Sequence, residues 1–164
     1  MKETLVKSLK TQRATLLQKI TLITETGESW KDVLISGEKI AAILPSNTAN
    51  ITRTEVVDGA NRYLLSASLY FTMIANGKAL RAVLEEIDET IGGKLSLIEI
   101  AKQSHAVAHD IEGRGTIDVG NYADLMIVNL KPDKDKGAKD GTRLPKITHF
   151  WILGKLLYKN GIFL

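Results

Sequence analysis

Cysteine is absent from the 164-residue chain, which excludes disulfides, thiolate metal sites and cysteine nucleophiles. No apolar run approaches the roughly 18 residues that span a bilayer. The opening residues, MKETLVKSLKTQRA, lack the apolar core of a secretory signal, so the expected location is cytoplasmic and no membrane partner is expected. No stripe of basic side chains interleaved with aromatics occurs, so nucleic acid is not an expected partner either. The formal net charge of +3 has a local origin, because residues 1–14 carry Lys2, Lys7, Lys10 and Arg13 against Glu3 and the remainder is balanced. That leader reads as a solvated or frayed segment. A phosphate loop is missing too, since Gly113-x-Gly115 is not followed by a helical pattern.

What the chain does contain is enough for one buried domain or a small domain with a helical annex. Its organising stretch is 113–130, GRGTIDVGNYADLMIVNL. Two short apolar runs, Thr116-Ile117 and 123–130, flank a Gly-Asn turn. Leu125-Met126-Ile127-Val128 is continuous and partly β-branched, which favours a strand buried on both faces and therefore in need of partners. Candidate partners lie at both ends. Residues 16–24 are strand-like, and 32–44 read as a hairpin with arms 33–35 and 40–44 around Ser36-Gly37-Glu38. Residues 54–57 and 63–65 are further strand candidates, and turn residues every ten or so positions suggest an antiparallel sandwich.

Two helices are expected between these ends. Residues 78–91 place Leu80, Val83, Leu84, Ile87 and Ile91 on one face, with Arg81 and Glu85 at i,i+4, and Gly92-Gly93 stops the helix. Ser96-Leu97-Ile98-Glu99 has the form of a capping box. It opens a second helix whose apolar face is Leu97, Ile100, Ala101, Ala108 and Ile111. A Lys- and Asp-rich loop over 131–141 then precedes a last hairpin in 147–161.

Several stretches resemble the amidohydrolase superfamily of metal-dependent hydrolases. Arg114-Gly115-Thr116-Ile117 with Gly120-x-x-Ala123-Asp124-Leu125 is similar to that superfamily's C-terminal β-segment. Asp32-Val33-Leu34-Ile35, Lys39-Ile40-Ala41-Ala42-Ile43 and Val56-Val57-Asp58 are similar to its N-terminal hairpin and following strand. The order Thr148-His149, apolar run, Gly154-Lys155, apolar run, Asn160-Gly161 resembles the terminal hairpin of dihydroorotases. The resemblance covers about 16–66 and 78–164. It implies a β-sandwich assembled from both chain ends, in a family that hydrolyses cyclic amide C–N bonds at a zinc centre.

At one point the chain departs from that pattern. The family's first metal motif, Asp-x-His-x-His, falls on Tyr70, Thr72 and Ile74, which cannot replace two imidazoles on zinc. The roughly 250 residues of a (β/α)8 barrel are missing as well. The expected division is therefore a basic leader 1–14, a first part of the sandwich 15–66, a junction with two helices 67–112, and a second part 113–164. The fold class is mainly β with α, without a (β/α)8 barrel. No catalytic, cofactor-binding or metal-binding residue is assigned, and no cofactor is expected.

His105 and His109, four apart on a helix, offer half a metal site, but QSHAVAHD is not His-Glu-x-x-His. Asp110 and Glu112 point elsewhere. His149 beside Phe150 and Trp151 reads as a structural side chain. Ser66 and Ser68 lack a Gly-x-Ser-x-Gly frame. Asp124 at a strand head suits turn amides better than acid–base work. The functional expectation is a barrel-less, non-catalytic relative of dihydroorotase. The alternative is a scaffold subunit that self-associates or docks on a full-length amidohydrolase through faces the barrel would cover, including the apolar sides of the two helices. Residues 66–77 are too apolar for a solvated linker and are expected to pack on the helices or, by preference, across a subunit interface.

Overall fold

A computed structural model describes residues 14–46, 54–93, 96–108, 111–129 and 146–164. Residues 1–13, the Lys- and Asp-rich loop, His109 and Asp110 lie outside the described residues. The elements run β1 (Ala14–Thr24), β2 (Gly27–Ser36), β3 (Lys39–Pro45), β4 (Glu55–Asp58), β5 (Arg62–Ser66), α1 (Ser68–Ala75), α2 (Leu80–Gly93) and α3 (Leu97–Ala108). The chain then continues through β6 (Leu125–Asn129), β7 (Lys146–Ile152), β8 (Lys155–Lys159) and β9 (Ile162–Phe163).

The nine strands among the described residues belong to one sheet in the order β3-β2-β1-β5-β6-β7-β8-β9, with β4 on β1. The two chain ends meet at the β5–β6 ladder, where Leu64 faces Ile127 and Leu65 faces Met126. The sheet also curls on itself. At the start of β3, Ile40 N–H donates to the Asn121 carbonyl and Ala123 N–H to that of Glu38, each at 2.8–2.9 Å. The β7–β8 turn closes against the β2–β3 turn. There a Cβ on Gly154 would sit 1.9 Å from the Gly37 carbonyl oxygen, and φ is +73°. Only glycine serves both demands.

The mainly β fold with helices, built from both ends of the chain, is as expected, but the pairing is not purely antiparallel, because β1 runs parallel to both β4 and β5. The handover between them occurs at a bulge in β1 between Leu17 and Ile20. Lys19 there has φ +56°. Its N–H donates to the buried Asp32 carboxylate at 2.9 Å, and its carbonyl accepts the Trp30 indole N–H at 2.8 Å. An extra residue in one strand leaves backbone groups without ladder partners. Asp32 and Trp30 supply them, so the family-like Asp32 serves to stabilise the bend.

Two apolar cores lie on the two faces of the sheet. Side chains alternate along a strand, so Leu125 and Ile127 of β6 enter one core while Met126 and Val128 enter the other. The first core joins Leu17, Ile20, Val33, Ile35 and Ile40 to Trp151 of β7, and so packs the N-terminal strands on the C-terminal ones. The second is roofed by the helices through Val83, Leu84, Ile87, Ile91, Ile100 and Ala101. The apolar helix sides expected to lie open are thus buried on the chain's own sheet. Ile111 falls beyond α3 and is exposed.

Among the described residues there are three helices where two were expected. The apolar junction folds as α1, whose Tyr70 is buried in the second core while Leu69, Phe71, Met73 and Ile74 pack half-buried against it. The first of the two expected packings, on the helices, is thus present within the chain, and it leaves these four side chains half-buried. Among the described residues no helix is long and apolar enough to cross a membrane.

Candidate functional site

Several buried polar groups converge where β5 ends and α1 begins. Ser66 and Ser68 are both buried. The Ser66 hydroxyl donates to Ser68 Oγ at 3.1 Å, and Ser68 Oγ also accepts the Gly115 N–H at 3.1 Å. Helix α1 has no side-chain cap of its own. Its Leu69 N–H is taken instead by the hydroxyl of Ser104 from α3 at 3.2 Å, and Ser104 in turn donates to the Ser66 carbonyl at 3.3 Å. First-turn amides of a helix need such acceptors. The three serines are joints between β5, α1, α3 and the 113–118 segment.

Beside them sits Arg114. Its guanidinium, 3.6 Å from the centre of the Phe71 ring and 4.7 Å from that of Tyr122, pairs with the Asp124 carboxylate. Both charged side chains are buried. Asp124 also accepts the Leu153 N–H at 2.9 Å, in the β7–β8 turn. Satisfying a turn amide is the role read for Asp124 from the sequence, but the buried ion pair is additional. Burial pulls the Arg114 guanidinium below its ordinary value, while Tyr122 and Glu38 oppose that shift. Aromatic faces on a guanidinium replace part of its lost hydration. The group is placed to lock the 113–124 segment onto α1.

A cleft of about 220 Å³ opens next to this junction, lined by Ser66, Glu25, His105, Thr116 and Asp118 over an apolar floor. At its rim His105 Nδ1 lies 2.9 Å from Glu25 Oε2, tying α3 to the β1–β2 turn. His105 and Glu25 are far apart in sequence, so the pairing had no local signal. His149 is elsewhere, buried in β7. Its ring stacks on Trp151 at 5.4 Å and its Nδ1 lies 2.9 Å from Thr148 Oγ1. Burial first, then the positive Arg62 and Lys159, push its pKa down to about 4, so the imidazole is neutral near pH 7. Among the described residues no three His, Asp or Glu side chains converge on a point that could hold a metal.

The zinc of the amidohydrolase pattern can be tested against the residues at its motif positions. Tyr70 is buried, and its phenol is pushed up to about 12 by desolvation and by Glu86. The Thr72 hydroxyl donates back to the Leu69 carbonyl at 2.9 Å. Ile74 packs on the helical core. These residues do not fit the ion.

Neither protein-family profiles nor curated protein sequences match the chain. Solved structures do. It is similar to dihydropyrimidinase from Brevibacillus agri, with 34% identity over 34% of this chain and 12% of that one, TM-score 0.30. D-hydantoinase (dihydropyrimidinase) from Thermus sp. shares 26% identity over 32% of this chain and 11% of its own, TM-score 0.29. Triazine hydrolase from Arthobacter aurescens shares 22% over 60% and 26%, TM-score 0.29. The chain thus spans about an eighth of the length of the dihydropyrimidinase it matches. The solved structures to which this chain is similar in part are members of the amidohydrolase superfamily.

Proposed function

We propose that this chain is a barrel-less relative of the dihydroorotase branch of amidohydrolases, acting as a non-catalytic binding or scaffold domain. One observation carries the reading. Where the family pattern would enter its first metal-bearing strand, the chain enters α1 and roofs its own sheet with three helices. The metal that would lower the pKa of a bridging water has no fitting ligands at those positions. The serine hydroxyls of the junction are engaged in holding elements together.

A partner surface is favoured by the composition of α1. Its sequence SLYFTMIA contains no charged residue, and a helix apolar all round is ordinarily buried all round. Leu69, Phe71, Met73 and Ile74 are only half-buried. A second copy of the chain or a full-length amidohydrolase would cover them.

The test is made on purified protein loaded with zinc, assayed for opening of dihydroorotate and hydantoin rings and sized by light scattering. The expected outcome is no turnover above a metal-only blank and a mass above that of one chain. Zinc-dependent turnover would overturn the non-catalytic reading, and a strict monomer would remove self-association.

A further inference from the structure

The difference between this chain and the metal-binding pattern has two parts, residue identity and backbone geometry. We infer that geometry is the decisive one: α1 sets positions 70, 72 and 74 at helical angles, so restoring the motif's side chains there cannot bring all three to one face. The inference rests on the reading proposed above.

The argument is one of periodicity. Asp-x-His-x-His spaces its ligands two residues apart, and in a strand alternate side chains share a face. In a helix each residue turns about 100°, so the second position lies about 200° from the first and the third about 40° from it. Position 72 therefore points away from 70 and 74. The helical bonding is explicit, since Asn76 N–H donates to the Thr72 carbonyl at 3.0 Å. Nor is α1 free to change. Ser104 caps its first turn, Ser68 takes the Gly115 amide, Tyr70 is 3% exposed in the core and Arg114 stacks on Phe71. These contacts come from α3, from the 113–118 segment and from the core on the sheet, so extending 68–75 into a strand would break all of them together.

Two histidine pairs separate the geometries. T72H/I74H restores the strand spacing of the motif, whereas T72H/N76H places two imidazoles one helical turn apart, where side chains are neighbours. Nickel binding to wild type and to both variants is followed by isothermal titration, with circular dichroism as a check on folding. The helical pair is expected to bind at least about tenfold more tightly than the motif pair. If T72H/I74H alone loses its fold, I74H is measured beside it: a folded I74H supports the inference, whereas an equally unfolded I74H assigns the loss to packing at Ile74 and counts against it. Equal or tighter binding by T72H/I74H overturns the inference. Stoichiometric zinc in the wild-type chain would instead overturn the proposed function, so the two failures are distinguishable.

Discussion

His149 should make the domain sensitive to mild acid. Folding holds its imidazole neutral, with a pKa moved from 6.5 to about 4 by burial and by Arg62 and Lys159. The unfolded chain takes up the proton near the ordinary value. A depressed histidine pKa therefore contributes full stability above about 6.5, and that stability falls as pH drops until it levels near 4. At about 1.36 kcal/mol per unit the whole gap amounts to about 3 kcal/mol, of which about 2 kcal/mol is gone by about pH 5. The perturbation is His149→Asn, which keeps a polar atom near Thr148 Oγ1 but does not titrate. Guanidinium unfolding of both proteins between about pH 7 and 4 gives two curves whose difference isolates this group, since His105 and His109 are common to both. The absolute cost of lost stacking on Trp151 cancels in the slope. Parallel curves would refute the argument, and would mean that the imidazole is hydrated or already charged at neutral pH.

Asp124→Asn leaves the Arg114 guanidinium buried without its carboxylate, and should cost about 3–5 kcal/mol in denaturant unfolding. Gly154→Ala drives a Cβ into the Gly37 carbonyl, so its melting temperature should fall far below that of Gly161→Ala, where nothing lies within 4 Å. The latter pays only the left-handed backbone cost of about 1–2 kcal/mol. Ser104→Ala removes the acceptor for the Leu69 amide and should cost about 0.5–2 kcal/mol, with faster amide exchange at the start of α1 as its local signature.

The strands on either side of the β5–β6 seam were legible because burial on two faces writes a continuous apolar run, as in Leu125-Met126-Ile127-Val128. Helices α2 and α3 were legible through their apolar stripes, and the Ser96 cap appears as the 3.2 Å bond it accepts from Glu99 N–H. Helix α1 was not legible as a helix. A run apolar on every side has no period, so it cannot tell strand from helix. The parallel pairing of β1 was hidden for a different reason. It depends on a bulge at Lys19 and on Gly59, whose added Cβ would meet Ile20 Cβ at 2.6 Å, and neither leaves a mark on the alternation. The Arg114–Asp124 pair spans an irregular segment in which spacing carries no directional information. Only the recurrence of both residues in one family-like motif could have drawn attention to it.

The seam between β5 and β6 also governs the order of events in synthesis and folding. Leu64 finds Ile127, and the first core waits for Leu125, Ile127 and Trp151. Hairpin β1–β2–β3 can form early from local contacts, yet its apolar face has nothing to cover it until the final hairpin is made. Pairings of such sequence separation must meet the entropy of closing a long loop before any burial repays it, so folding should be slow for the domain's size. A chain halted after α3 would display the faces of β1 and β5 to other nascent chains, and recruitment of chaperones should be greatest in that window.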